Sequence, residues 1–185
     1  MTARRILLSL FVLGLFFQAS PAQPQEKVFG EEVLGPGVKI TFLVAPSGDV
    51  DPTAQNLSEA RSDLHLEVLA GWTEAASENV GAPAGGFVPY LHLFATVQNE
   101  ETGQVKTATL VPHINQSDNV HYARNIALPG GPNDPYTVVF EVHPPEQFEL
   151  ATHKDWRTAY GPRLFPPATV TYKNLQLGEI VRATR

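Results

Sequence analysis

The sequence predicts an all-β fold, an antiparallel β-sandwich of about seven strands with two long loops. Seven short segments are rich in β-branched and aromatic residues, and several alternate between apolar and polar positions. The 16 prolines and 14 glycines fall mostly between these segments. No stretch combines sustained helical periodicity with capping residues, although residues 56–61 suit a short helical turn. This pattern is typical of an immunoglobulin-like sandwich.

Period-two alternation is the main evidence for the individual strands. In the first segment Val38, Ile40 and Phe42 share one face, and in the second Leu64 and Leu66 do the same. Two connections are too long for simple hairpins, and long loops in compact domains are often functional. In chain order the predicted strands are Val38–Ala45, Leu64–Ala70, Val88–Gln98, Val105–Val111, Val120–Leu128, Tyr136–Val142 and Ala168–Leu177, and the two long loops are Gly71–Gly86 and Pro144–Pro167.

The first 22 residues have the order of features of a secretory signal peptide. A short basic segment with Arg4 and Arg5 precedes the apolar run Ile6–Phe17, and Ser20–Ala22 supplies small residues for cleavage. As a helix, the apolar run would span about 18 Å, less than a hydrocarbon core of roughly 30 Å. We therefore expect cleavage after Ala22 and a periplasmic location, with a retained N-terminal anchor as the alternative.

The predicted mature chain is one acidic domain. Residues 23–37 read as a loose N-terminal lead, and residues 38–185 read as the immunoglobulin-like domain. The predicted signal peptide carries two arginines and no acid, so its removal changes the formal net charge from −6 to −8. An acidic domain repels phosphate backbones, which argues against nucleic acid as a partner.

The amino-acid composition excludes several kinds of chemistry. The chain has no cysteine, which removes disulfides, thiolate metal ligands, iron–sulfur clusters and thiol nucleophiles. Its only methionine is Met1, inside the predicted signal peptide. We find no nucleophile elbow, phosphate loop, dinucleotide fingerprint or zinc-protease motif. Dispersed catalytic residues meet only in space, but nothing in the sequence points to an enzyme.

Histidine is the residue type that suggests a site. His65 and Glu67 are two apart on a predicted strand, so both side chains leave the face opposite to Leu64 and Leu66. They can bind one metal ion together, whereas an ordinary solvated strand face is the structural alternative. The remaining histidines have no such motif and are compatible with surface or core roles, and they are His92, His113, His121, His143 and His153.

Several stretches together resemble the periplasmic high-affinity iron-transport proteins, metal-binding immunoglobulin-like domains that act beside an inner-membrane iron permease. No single stretch is decisive, but they occur in the family's order and cover roughly residues 38–177. The matching stretches are Asp63–Glu67, Gly86–Leu91, Ser117–Tyr122, Tyr136–Pro145, and His153 followed by Gly161–Tyr172.

The resemblance implies a set of metal ligands. It assigns the family's ligand positions to His65, Glu67, His121 and His153, and it places His113 where the family has a methionine. His92 and His143 match no ligand of the family. Imidazole and carboxylate suit Cu(II), iron or zinc, whereas the thioether that is missing here favours Cu(I). The resemblance also implies copper binding, a role in iron uptake and a homodimer.

Three functions are open from the sequence. The first is a periplasmic metal-binding accessory protein for iron or copper acquisition. The second is a redox enzyme that acts on iron at a bound copper ion. The third is an exported immunoglobulin-like interaction module whose histidines are incidental. The first agrees with both the histidine pattern and the resemblance.

Overall fold

The computed structural model describes residues 26–183, which form eight strands, three short α-helices and one 3-10 turn. The predicted signal peptide lies outside the described residues. The strands are β1 (Lys27–Leu34), β2 (Val38–Pro46), β3 (Leu64–Trp72), β4 (His92–Asn99), β5 (Val105–Asn115), β6 (Asn119–Ile126), β7 (Pro135–His143) and β8 (Ala168–Gln176). The helices are α1 (Glu74–Val80), α2 (Lys154–Tyr160) and α3 (Gly178–Arg182), and the 3-10 turn is Glu59–Arg61.

The strands form two antiparallel layers joined by one long strand. Their order is β1-β2-β3-β6-β5-β4-β7-β8, and each pairs with its neighbours in antiparallel register. The first half of β5 pairs with β4, whereas residues 111–115 of β5 pair with β6. We call β1, β2, β3, β6 and the end of β5 sheet A, and we call the remainder sheet B. The predicted all-β sandwich is confirmed, with eight strands instead of seven.

Alternating apolar side chains from both sheets form one core. On sheet A, Ile40, Phe42 and Leu66 are fully buried, and on sheet B Val138 and Phe140 are buried to the same degree. The rings of Phe42 and Phe140 meet with their centroids 4.7 Å apart. Because successive strand residues face opposite sides, the residues between these core positions point to the outer face of their sheet.

Strand β1 lies where the sequence predicted a loose lead, and this expectation was wrong for residues 27–34. Val28 and Val33 are exposed, so the segment lacks the alternation by which a buried strand is recognised. Backbone pairing with β2 and close contact with β8 hold it instead. A Cβ atom at Gly30 would lie 2.7 Å from the hydroxyl of Tyr172, so a larger residue would require this tyrosine to shift. The ring of Phe29 packs against the same tyrosine.

The two long connections pack on one side of the sandwich. Helix α1 lies in the first, where the Thr73 hydroxyl accepts a hydrogen bond from the amide of Ala76 and caps the helix. Helix α2 lies in the second, and its Trp156 meets Trp72 edge to face with ring centroids 6.5 Å apart. Within residues 26–183 we find no helix with the length and apolar character needed to span a membrane.

Tyr122 links sheet A to the segment that crosses to sheet B. Its hydroxyl donates to the carbonyl of Val88 (2.8 Å) and accepts from the amide of Leu91 (3.0 Å). The side chain is 1% exposed, and Phe87 stacks on its ring. Burial raises the pKa of Tyr122 to about 12, so the phenol stays neutral and keeps both hydrogen bonds.

Replacing Tyr122 by Phe should lower the free energy of unfolding by about 1–3 kcal/mol, because it leaves two buried backbone groups without their partner. Tyr160→Phe is the matched control: Tyr160 is 40% exposed, and its substitution should change stability by less than about 0.5 kcal/mol. Denaturant titration of both variants measures the difference. Equal stability of the two variants would contradict this role of Tyr122.

Candidate metal centre

Three adjacent strands bring histidines together on the outer face of sheet A. The register pairs His65 of β3 with Asn125 of β6, and His121 of β6 with His113 of β5. Glu67 lies two residues after His65 on β3, and its partner on β6 is Ala123. The core residues Leu66, Tyr122 and Leu110 lie an odd number of positions from the histidine of their own strand, so these side chains project from the face opposite to the core.

The three imidazoles converge to metal-binding distance. His65, His113 and His121 each offer a ring nitrogen, and the three nitrogens lie within 4.8 Å of one another. Ring centroids are 5.3 Å apart for His65 and His113, and 6.1 Å apart for His113 and His121. Oε1 of Glu67 is 3.7 Å from Nε2 of His65. The structure thus places four of the five sequence-predicted ligands in one region.

These polar side chains are buried although they lie on an outer face. Relative exposure is 2% for His65, 0% for Glu67 and 1% for His121. Asp49, Val50 and Asp51 of the connection between β2 and β3 line a cavity of about 380 Å³ together with the three histidines. Burial of polar side chains costs free energy unless they find partners. A cluster of buried, titratable side chains is therefore typical of a functional site.

Hydrogen bonds fix the tautomers of two histidines. The Asn125 amide nitrogen donates to the carbonyls of Gly48 (2.7 Å) and Leu57 (2.8 Å), so its oxygen must face His65. That oxygen accepts from Nδ1 of His65 at 2.6 Å. The proton therefore sits on Nδ1, and Nε2 carries the lone pair. Orientation of a ligating histidine through its other nitrogen is common in metal sites.

The same arrangement holds at His121. Its Nδ1 lies 3.1 Å from the backbone oxygen of Asn119, which can only accept a hydrogen bond. Nδ1 of His121 is thus the donor and Nε2 has the lone pair. Nε2 of His113 is buried with no hydrogen-bond partner among the described residues. An ion that accepts lone pairs would satisfy this nitrogen of His113, and a set of three converging imidazoles fits a transition metal.

Burial keeps His113 neutral. Desolvation, followed by the charges of His121 and Arg124, lowers the pKa of His113 to about 4. The imidazole is therefore unprotonated at neutral pH and has a lone pair available. Metal binding at neutral pH would not have to displace a proton from this ring.

His153 lies apart from the three converging histidines in the folded protein. It is an exposed residue at the N-cap of α2, and it lines a separate, largely apolar cavity of about 390 Å³ with Trp72, Trp156 and Leu164. It does not belong to the group of three converging histidines. Its assignment as a ligand stays a prediction.

Sequence reasoning missed several residues around the centre. Carboxylate oxygens of Glu26 and Asp118 lie within 4.8 Å of one another and of a Glu67 oxygen. Asp118 carried a signal, since it belongs to the Ser117–Tyr122 stretch, whereas Glu26 lies in the predicted lead. Asn125 carried none, because its role depends on the path of a distant connection.

Comparison with known proteins agrees with the fold. A family model described as Fe²⁺ transport protein matches residues 23–178. A copper-bound variant of the P19 protein of Campylobacter jejuni is 28% identical, covers 81% of this chain and 96% of its own, and has a TM-score of 0.67. A copper-bound variant of FetP from uropathogenic Escherichia coli strain F11 is 27% identical, covers 83% and 99%, and has a TM-score of 0.63.

A relative with a different description also matches. The 34 kDa membrane antigen of Treponema pallidum (strain Nichols) is 31% identical over 108 residues, which are 58% of this chain and 52% of the antigen. The chain therefore spans about half the length of this curated relative. The family model, in contrast, matches most of the chain, from the end of the predicted signal peptide to the start of α3. This chain belongs to the Fe²⁺ transport protein family.

Proposed function

We propose that this protein binds copper or iron outside the cytoplasm and acts as an accessory to a high-affinity iron-uptake system. The observation that carries the proposal is the convergence of His65, His113 and His121 within 4.8 Å, beside the fully buried Glu67. Three imidazoles and a carboxylate are ligands that copper, iron and zinc accept. The mature chain offers no thiolate or thioether to compete with them.

The family and its solved relatives support the choice of metal. The family is described by transport of Fe²⁺, and the two related structures named above contain copper. The sequence features of the first 22 residues support export to the periplasm. We extend the proposal to an inner-membrane iron permease as the partner and to a homodimer, since the resemblance to the iron-transport proteins implies both. Binding and delivery of an ion neither form nor break covalent bonds of a substrate, so the proposed role is not enzymatic.

The site should prefer Cu(II) over Cu(I). Imidazole nitrogen and carboxylate oxygen are harder donors than the thioether found at the equivalent of position 113 in the family. The rings of His65 and His121 are oriented through Nδ1, by the side chain of Asn125 and by the carbonyl of Asn119. Such orientation lowers the entropic cost of binding, because the ligands need not be reordered.

His121→Ala should weaken Cu(II) binding by about tenfold or more, roughly 1.4 kcal/mol, because it removes one of three converging imidazoles. Isothermal titration of the apo protein measures the affinity. His92→Ala is the matched control, since His92 is an exposed histidine on sheet B and should leave this binding event unchanged. Equal affinity of wild type and His121→Ala would remove the proposed centre.

Acid should destabilise the apo protein partly through His113. Its pKa is about 4 in the folded state and about 6.5 in the unfolded state, so its contribution to stability is present above pH 6.5 and is lost as the pH falls toward 4. His113→Gln lacks this titration. Between pH 7 and pH 4 the wild type should lose more stability than the variant, by on the order of 1–2 kcal/mol because partial exposure screens the effect.

Denaturant titrations of both proteins at the two pH values give this difference, and titrating groups that do not interact with His113 cancel between them. An equal loss of unfolding free energy in wild type and His113→Gln would show that His113 is not held neutral by burial.

His113→Met should shift the copper preference toward Cu(I). The substitution introduces a soft thioether while His65, His121 and Glu67 are retained, so the reduction potential of bound copper should rise. Competition titrations with Cu(I) and Cu(II) chelators measure the ratio of the two affinities. A change of less than about twofold, roughly 0.4 kcal/mol, would mean that His113 is not a ligand.

A further inference from the structure

A second pair of histidines lies on the outer face of sheet B. Strands β4 and β7 are antiparallel neighbours, and their register places His92 directly opposite His143. The adjacent residues Leu93 and Val142 are buried in the core, so both histidines point away from it. Their side chains are 44% and 41% exposed. The buried cluster around His65 projects from sheet A, so the two histidine groups occupy opposite outer faces of the sandwich.

Each histidine of this pair has a carboxylate beside it. Oε2 of Glu149 lies 2.7 Å from Nε2 of His92, and Oε2 of Glu141 lies 3.6 Å from Nε2 of His143. A turn positions Glu149, because the same oxygen accepts the amide of Glu146 at 2.9 Å. Carboxylate oxygen is a common metal ligand, and this turn holds the Glu149 carboxylate beside the imidazole of His92.

The spacing of the two imidazoles suits chelation. Residues directly opposite on antiparallel strands have Cβ atoms about 4.5–5.5 Å apart. In the structure each Nε2 faces its own carboxylate, so chelation requires the two exposed rings to turn toward one another until a nitrogen of each lies roughly 2.0–2.1 Å from the ion, the distance at which imidazole binds zinc. Phe94 packs edge-on to the ring of His143, with centroids 5.9 Å apart and planes at 80°, and limits how far that ring turns away.

We propose that His92, His143 and Glu149 form a second binding site for a divalent transition-metal ion such as Cu(II) or Zn(II), with Glu141 close enough to contribute a further oxygen. Two imidazole nitrogens and carboxylate oxygen are donors that both ions accept. The site is open to solvent, so it exchanges its ion more readily than the covered cluster and binds it more weakly. The protein would then bind two metal ions per chain, independently and on opposite faces.

Titration of the full apo protein with Cu(II) tests the proposal. The wild type should bind one ion tightly and a second more weakly. His92→Ala and His143→Ala should each weaken the second event by about tenfold or more, roughly 1.4 kcal/mol, and leave the first unchanged. His121→Ala should do the reverse. Thr96→Ala, on the same face of β4 as His92, is the matched control and should change neither event.

Two outcomes would overturn the site on sheet B. One is a single binding event in the wild type that persists in both His92→Ala and His143→Ala. The other is a weak second event that survives these variants and disappears in His153→Ala, which would assign it to the exposed histidine at α2. Loss of the tight binding event alone in His121→Ala tests the buried cluster on sheet A. The titrations therefore distinguish failure of one site from failure of the other.

Discussion

The antiparallel register of β3, β6 and β5 is the constraint on which the candidate centre depends. It sets His65 against Asn125 and His113 against His121, while Leu66 and Tyr122 fill the core. Side chains alternate with period two, so a slip of one residue in any of the three strands would move its histidine to the opposite face. On β3 and β6 the apolar core therefore fixes the position of the ligands. On β5 the neighbours of His113, Pro112 and Ile114, are exposed, and pairing with β6 positions this histidine.

Asn125 links the β2–β3 connection to the predicted metal ligands. Its amide nitrogen binds the carbonyls of Gly48 and Leu57 in the β2–β3 connection, and its oxygen holds Nδ1 of His65. The connection that excludes water from the cluster thereby also sets the tautomer of one ligand. A chain without cysteine has no disulfide to fasten such a connection, so buried hydrogen bonds must do so. A change in the conformation of the β2–β3 connection would therefore alter the position of the His65 ring directly.

The two outer faces of the sandwich illustrate two ways of placing polar side chains on a strand. On sheet A the histidines are covered, and their burial depresses the pKa of His113 and makes an ion that accepts lone pairs a favourable occupant. On sheet B His92 and His143 remain exposed, and each has a carboxylate beside it, 2.7 Å from Nε2 of His92 and 3.6 Å from Nε2 of His143. Identical residue types thus meet different dielectric environments, so we expect tighter binding of an ion on the covered face than on the exposed one.

The sequence by itself determined the fold class and the face on which the His65–Glu67 pair lies, because period-two alternation is a local property of the chain. It did not reveal β1, since that strand is held by pairing and by the Gly30–Tyr172 contact and has no buried stripe of its own. The family resemblance grouped His113 and His121 with His65, and the structure brings the three together. Only the tertiary structure showed that Asn125 orients His65 and that His153 lies in another cavity. Strand partners and the path of a connection are set by contacts between distant segments, and no local pattern encodes them.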